Sequence, residues 1–178
     1  VFGLFNKGIT NANRIAILES FATVFNIKSK VPNNFDGIPV LNNLKATYYG
    51  FKDDRQAADI DNLWGLYESA INLAGKDDAA NREIFTKWYD TVHDQLGIRW
   101  NITMGLYWIR PYEFINLDSI NRWFIVDPDN MPVDFVNSVK KKLNKVPYAA
   151  EYLAIKDACL HALKDGNYEY KNYPELSY

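Results

Sequence analysis

A single cysteine, Cys159, serves 178 residues. No internal disulfide can staple this fold, which points to a reducing compartment or to indifference to redox. Histidine is nearly as scarce. His93 and His161 fall on different predicted helices, and His161 lies about 200° around its helix from Cys159, so no zinc-type ligand set assembles. Phosphate loops are missing too, since neither Gly-x-x-x-x-Gly-Lys-Ser/Thr nor Gly-x-Gly-x-x-Gly occurs. No cofactor is therefore expected in this fragment. No apolar run approaches the roughly 18 residues a membrane helix needs, and no signal peptide is expected. The expected location is cytoplasmic. A formal net charge of -2 excludes the global basic field that draws proteins to nucleic acid, so any phosphate contact must be local.

What the chain has is apolar mass. Hydrophobic residues make up 48% and aromatics 15% of it, with five tryptophans, which is far from a disordered composition. A chain of this length hides about two thirds of its unfolded surface, enough for one cored domain. Charge is unevenly spread. Residues 1–52 carry six basic against two acidic residues, 53–100 five against ten, and 101–178 nine against ten. The chain starts at Val1 rather than Met, which reads as a piece of a longer protein.

The periodicity predicts helices throughout. Thr10 is a good N-cap for a first helix running to about Asn26, with Ile15, Leu18, Ala22 and Phe25 at helical spacing. Residues 28–34 read as a loop. The stretch from Phe35 to Phe51 is broken by Gly37 and Pro39, has a turn-type pair in Asn42-Asn43, and reads as a small strand or irregular aromatic segment near residues 38–51. From Asp59 a helix places Ile60, Leu63, Trp64, Tyr67, Ile71 and Ala74 on one stripe, and Gly75 stops it. Asp77 or Asp78 caps the next, with Ile84, Trp88, Val92 and Leu96 inward and Gly97 as its stop. The short connection predicts an antiparallel pair.

Thr103 to Ile109 is a short helix ended by Pro111, and Asp118 or Ser119 caps another reaching Val126. Asp127-Pro128-Asp129-Asn130 is a turn. Pro132 suits the first position of a helix with Val136, Val139 and Leu143 on one face. After Pro147 a last helix turns Tyr148, Tyr152, Ile155, Cys159 and Ala162 inward and stops near Gly166. The expectation is a mainly α fold, a single helical domain of six to seven helices over residues 1–166, with 167–178 as an exit segment.

Few residues suggest chemistry. Ser119 beside Asp118 resembles a nucleophile with its acid, but a helix cap explains the pair more cheaply, and Arg122 four residues on is an ordinary helical ion-pair partner for Asp118. Asp127, Asp129 and Asp134 lack the spaced Asp/Glu-x-Lys of a metal-dependent nuclease. Lys140, Lys141, Lys142 and Lys145 form the one dense basic run. It is either a solvated helix end or a phosphate contact, with Tyr148 and Tyr152 following as stacking candidates. Trp64, Tyr67 and Trp88 are expected in the core. Trp100, Tyr107, Trp108, Tyr112 and Trp123 are too many aromatics to bury in full, and such residues favour half-wet surfaces.

Four stretches carry a resemblance: Asp36 to Asn43, Asp59 to Trp64, Trp100 to Pro111, and Phe114 to Arg122 with its Pro-x-x-Phe-x-x-Leu-Asp-Ser pattern from Pro111. Together they resemble the amino-terminal region of McrB-like AAA+ proteins of methylation-dependent restriction systems, over roughly Phe2 to Tyr178. The resemblance implies a nucleotide-hydrolysing AAA+ module, using GTP or ATP with Mg, beyond this chain, and a nuclease subunit as partner. It also implies a recognition role for this part, toward DNA that includes 5-methylcytosine. The expected function is non-catalytic recognition of DNA or, alternatively, docking of the motor, the nuclease subunit or a second copy. Lys140, Lys141, Lys142, Lys145, Tyr148, Trp123, Arg122 and Trp108 are the candidate contact residues.

Overall fold

A computed structural model describes residues 4–36, 38, 40, 42, 47–166 and 168–177. The fold is mainly helical, with eight helices among the described residues. They divide into two compact units, one within Val1–Ala46 and a larger one comprising Thr47–Ser177.

The first unit is built on α1 (Asn11–Val24), where the Thr10 side chain accepts from the Asn13 amide as a cap should. Its end is a Schellman motif. Asn26 sits at φ 52°, the Ile27 amide reaches back to the Ala22 carbonyl and the Asn26 amide to that of Thr23. The one buried residue of α1 is charged. Arg14 donates to the Leu4 carbonyl at 2.9 Å, the Asn6 carbonyl at 3.1 Å and Asn11 Oδ1 at 2.7 Å, and its guanidinium lies over the Phe35 ring. The predicted stripe is half-buried at Ile15, Leu18 and Ala22 and exposed at Phe25, while Ile17, Phe21 and Val24 also face solvent. Of the expected strand or irregular segment, Gly37, Pro39, Leu41 and residues 43–46 lie outside the described residues. The described positions from Phe35 to Phe51 form neither helix nor strand.

The second unit opens with α2 (Asp59–Gly75) and α3 (Ala79–His93), which pair along their length. Gly65 lets them approach, because a Cβ there would sit 2.6 to 2.7 Å from three Trp88 ring atoms. The faces turned inward differ from the expected ones. In α2 the core takes Leu66, Ala70 and Leu73, and in α3 Phe85, Tyr89 and Val92. Trp64, Tyr67, Ile84 and Leu96, all expected inside, are exposed. Gly97, at φ 92°, supports the turn that follows α3.

α4 (Asn101–Ile109) ends before Pro111 as expected, and α5 (Ser119–Ile125) begins at an Asp118 cap that accepts from the Ile120 and Asn121 amides. Between them runs a buried polar braid. The Thr103 hydroxyl donates to the Trp100 carbonyl and accepts from the Leu117 amide; Asn121 donates to the Asn116 carbonyl and to Ser177. Asn116 donates to the second oxygen of Asp118. Asn116, Asp118 and Asn121 are thus explained by hydrogen bonding across an elbow.

α6 (Val133–Val139) leads through a 3-10 turn at Lys142–Asn144 to α7 (Ala149–Asp165), which packs on α3 and α6. Pro132 stands one position earlier than expected, as the N-cap. The core is aromatic: Phe85 stacks on Phe114 and Tyr89 on Tyr152. Tyr89, Tyr152 and Tyr173 each bury the ring and donate the hydroxyl to a carbonyl, of Pro147, Ile115 and Lys156 respectively, so burial strands none of the three hydroxyls. The segment after Gly166 differs from a plain exit. Tyr173 is fully buried, Leu176 joins the same core, Asn172 caps α8 (Tyr173–Leu176) and Tyr170 donates to the Asn130 carbonyl.

Candidate interaction surface

Lys140 closes α6 and is exposed, as are Lys141 and Lys145. Lys142 is half-buried and spends its ammonium on the Ser138 carbonyl at 2.8 Å, the helix-end role open to any lysine. Tyr148 caps α7 by position rather than pointing inward; its ring lies against His93 with centroids 4.0 Å apart, and Lys145 sits over it at 5.9 Å. Its hydroxyl donates to Asp94 at 2.9 Å. Hydrogen bonding from His93 and then from Tyr148 holds the Asp94 carboxyl below its usual range, while the same contact raises the Tyr148 phenol. A tyrosine held this way, beside a carboxylate, is poorly placed to stack a base. The lysines left to meet a partner are Lys140, Lys141 and Lys145.

The other three candidates do different work. Arg122 lies over Trp100, its Cζ 3.6 Å from the ring centroid, and burial lowers its guanidinium pKa against an opposing pull from Asp118. Trp108 is half-buried and packs against Tyr48. Trp123 is 64% exposed. Among the described residues no hydrogen bond, ion pair or ring contact joins Lys140–Tyr148 to Arg122 or Trp123.

A surface that the sequence reading assigned to the core is more prominent. On α2, Trp64 is 64% and Tyr67 42% exposed, and their rings meet edge to face with centroids 5.7 Å apart. Ile60, Leu63 and Ile71 are half-buried along the same stripe. The exposed carboxylates Asp61 and Glu68 stand three residues before and four after Trp64, on the same side of the helix, and neither enters an ion pair among the described residues. Across the pair, Lys87 lies over the half-buried Trp88 ring at 5.6 Å. The signal that could have found this surface is a second apolar set in α2, Leu66, Ala70 and Leu73, which also fits a period of 3.6 and left one stripe in excess.

Other titratable groups are engaged structurally. Arg82 pairs with Asp77 and, at 2.7 Å, with Asp157, while the buried Lys156 reaches Asp157 at 2.9 Å and Asp77 at 3.3 Å. This tetrad ties the start of α3 to α7. Burial pushes the Cys159 thiol up to about 12, which removes its nucleophilic form at neutral pH. His161 pairs with Asp165 at 2.5 Å beside a shallow depression lined by Asp157, Leu160 and Lys164. Among the described residues no three ligating side chains gather as a metal site, and no helix is long and apolar enough to cross a membrane.

A family model described as Domain of unknown function (DUF8425) matches residues 1–172. The chain belongs to that family. No curated protein and no solved structure matches it. The matched span crosses from the first unit into the second and contains both surfaces, so the lysine run and the α2 flank lie within the DUF8425 domain itself.

Proposed function

We propose that this DUF8425 chain is a non-catalytic interaction module that docks another protein through the outward flank of α2. The carrying observation is the exposed Trp64–Tyr67 pair on an otherwise half-buried apolar stripe. Exposed tryptophan and tyrosine flanked by polar groups have the composition of binding hot spots. The resemblance to McrB-like amino-terminal regions supplies the candidates: the AAA+ module, working with GTP or ATP and Mg, and the nuclease subunit of a cytoplasmic restriction system. Co-purification of the chain with each, compared with Trp64→Ala and Tyr67→Ala, tests the reading. Retained binding in both variants refutes it.

Direct DNA recognition is the second reading, supported by Lys140 and Lys141, which are exposed and enter no ion pair among the described residues. With Lys145 they offer at most three phosphate contacts, so affinity for a duplex should fall with a log–log salt slope no steeper than about -2.7. An anisotropy titration on methylated and unmethylated duplexes measures this. Absence of binding at low salt to both removes the reading.

A further inference from the structure

We infer that the partner element seated on the α2 flank is a cationic amphipathic helix, an inference that rests on the docking reading above. The apolar stripe from Ile60 to Ile71 runs about 16 Å along the axis, the length of three helical turns laid alongside it. Its border is acidic. Asp61 and Glu68, exposed on the same side of the helix as Trp64, flank it without an ion-pair partner among the described residues. An apolar centre with an unpaired acidic edge selects a helix that brings leucine-like side chains inward and lysine or arginine to the rim. The indole and phenol faces add a second attraction for those cations.

The charges disfavour two other occupants, the α1 helix of a second copy and nucleic acid. In α1, the one helix among the described residues of the first unit, the single cation Arg14 is buried and internally bonded, and the exposed charge is Glu19, so an α1 from a second copy would set acid against acid. Nucleic acid meets the same repulsion.

The test uses the whole chain and two synthetic helices of about 18 residues, five turns. Both have the same leucine face, one with a lysine and the other with a glutamate polar face, and each is labelled for anisotropy. The leucine–lysine helix should bind, weaken about tenfold with Trp64→Ala, as hot-spot truncations do, and lose affinity as salt rises. The double variant Asp61→Asn/Glu68→Gln, which keeps the apolar stripe, should abolish most of the preference over the leucine–glutamate helix. Equal, Trp64-dependent binding of both helices overturns the cationic assignment while leaving docking intact. Trp64-dependent self-association in sedimentation equilibrium would do the same. If neither helix binds, or binding ignores both Trp64→Ala and Tyr67→Ala, docking on this flank fails and the inference with it.

Discussion

Gly65 gives a substitution whose sign can be worked out in advance. In a helix interior, alanine is normally better than glycine by about 0.5–1 kcal/mol, because glycine loses more backbone freedom on folding. At this position the added Cβ would lie 2.6 to 2.7 Å from three atoms of the Trp88 ring, about 1 Å inside ordinary carbon contact. The ring is rigid and half-buried between α2 and α3, so relief requires it to swing or the helices to part, an overpacking cost of about 1–3 kcal/mol. Gly65→Ala should therefore destabilise the larger unit by about 1 kcal/mol net, a drop of roughly 4 °C in Tm. Removing the ring removes the clash, so in a Trp88→Ala background the same change should stabilise by about 0.5–1 kcal/mol. Thermal and urea unfolding of the four proteins closes the cycle, with coupling above about 1 kcal/mol expected for touching residues. A stabilising Gly65→Ala in the wild-type chain would refute the close packing of α2 on Trp88.

Asp118→Ala should cost about 1–2 kcal/mol in urea unfolding, since it strands the Ile120 and Asn121 amides and the Asn116 amide group together. Arg14→Met should lose about 2–4 kcal/mol of local stability, because the Leu4 and Asn6 carbonyls lose their donor; faster amide exchange across α1, with α7 unaffected, is the readout. Acid should weaken the α3–α7 tie. The hydrogen bond from Arg82 lowers the Asp77 pKa, and at Asp157 burial acts upward but is outweighed by Arg82 and Lys156. Both groups thus contribute stability that is present above the ordinary carboxylate range and lost as pH falls through their lowered values. The urea midpoint of the wild type should fall toward that of Arg82→Gln between pH 7 and pH 3, and parallel curves would contradict this.

Local rules carried the sequence reading as far as the helices and their caps. Thr10, Asp78 and Asp118 cap α1, α3 and α5, and Pro111 stops α4, because each needs only residues within one turn. Facing is not local. α2 offers two apolar sets of the same period, and only the arrangement of α3 and α4 decides that Leu66, Ala70 and Leu73 go inward. In α3 Val92 faces inward as expected, but Phe85 and Tyr89 replace Ile84 and Trp88, and both find partners distant in sequence, Phe85 on Phe114 and the Tyr89 hydroxyl at the Pro147 carbonyl. Arg14 and Tyr173 escaped notice for a related reason. An arginine near an amino terminus and a tyrosine in a polar tail look solvated until carbonyls distant in sequence, from Leu4 and Lys156, are brought to them. The lysine run was legible as a run, whereas the engagement of Tyr148 by Asp94 and His93 depends on α3 lying beside it.

The α2 flank also carries an energetic implication. Trp64 and Tyr67, 64% and 42% exposed, hold together on the order of 240 Å² still open to a partner. Covering that area releases about 6 kcal/mol at 25 cal/mol per Å², which is of the same order as the roughly 4–15 kcal/mol lost when two molecules give up independent motion. Two rings alone therefore make a weak and transient contact. The half-buried Ile60, Leu63 and Ile71 add some area, but selectivity and encounter rate must come from charge, and the unpaired Asp61 and Glu68 are the charges placed to supply it. A surface of this kind suits a partner that is engaged and released.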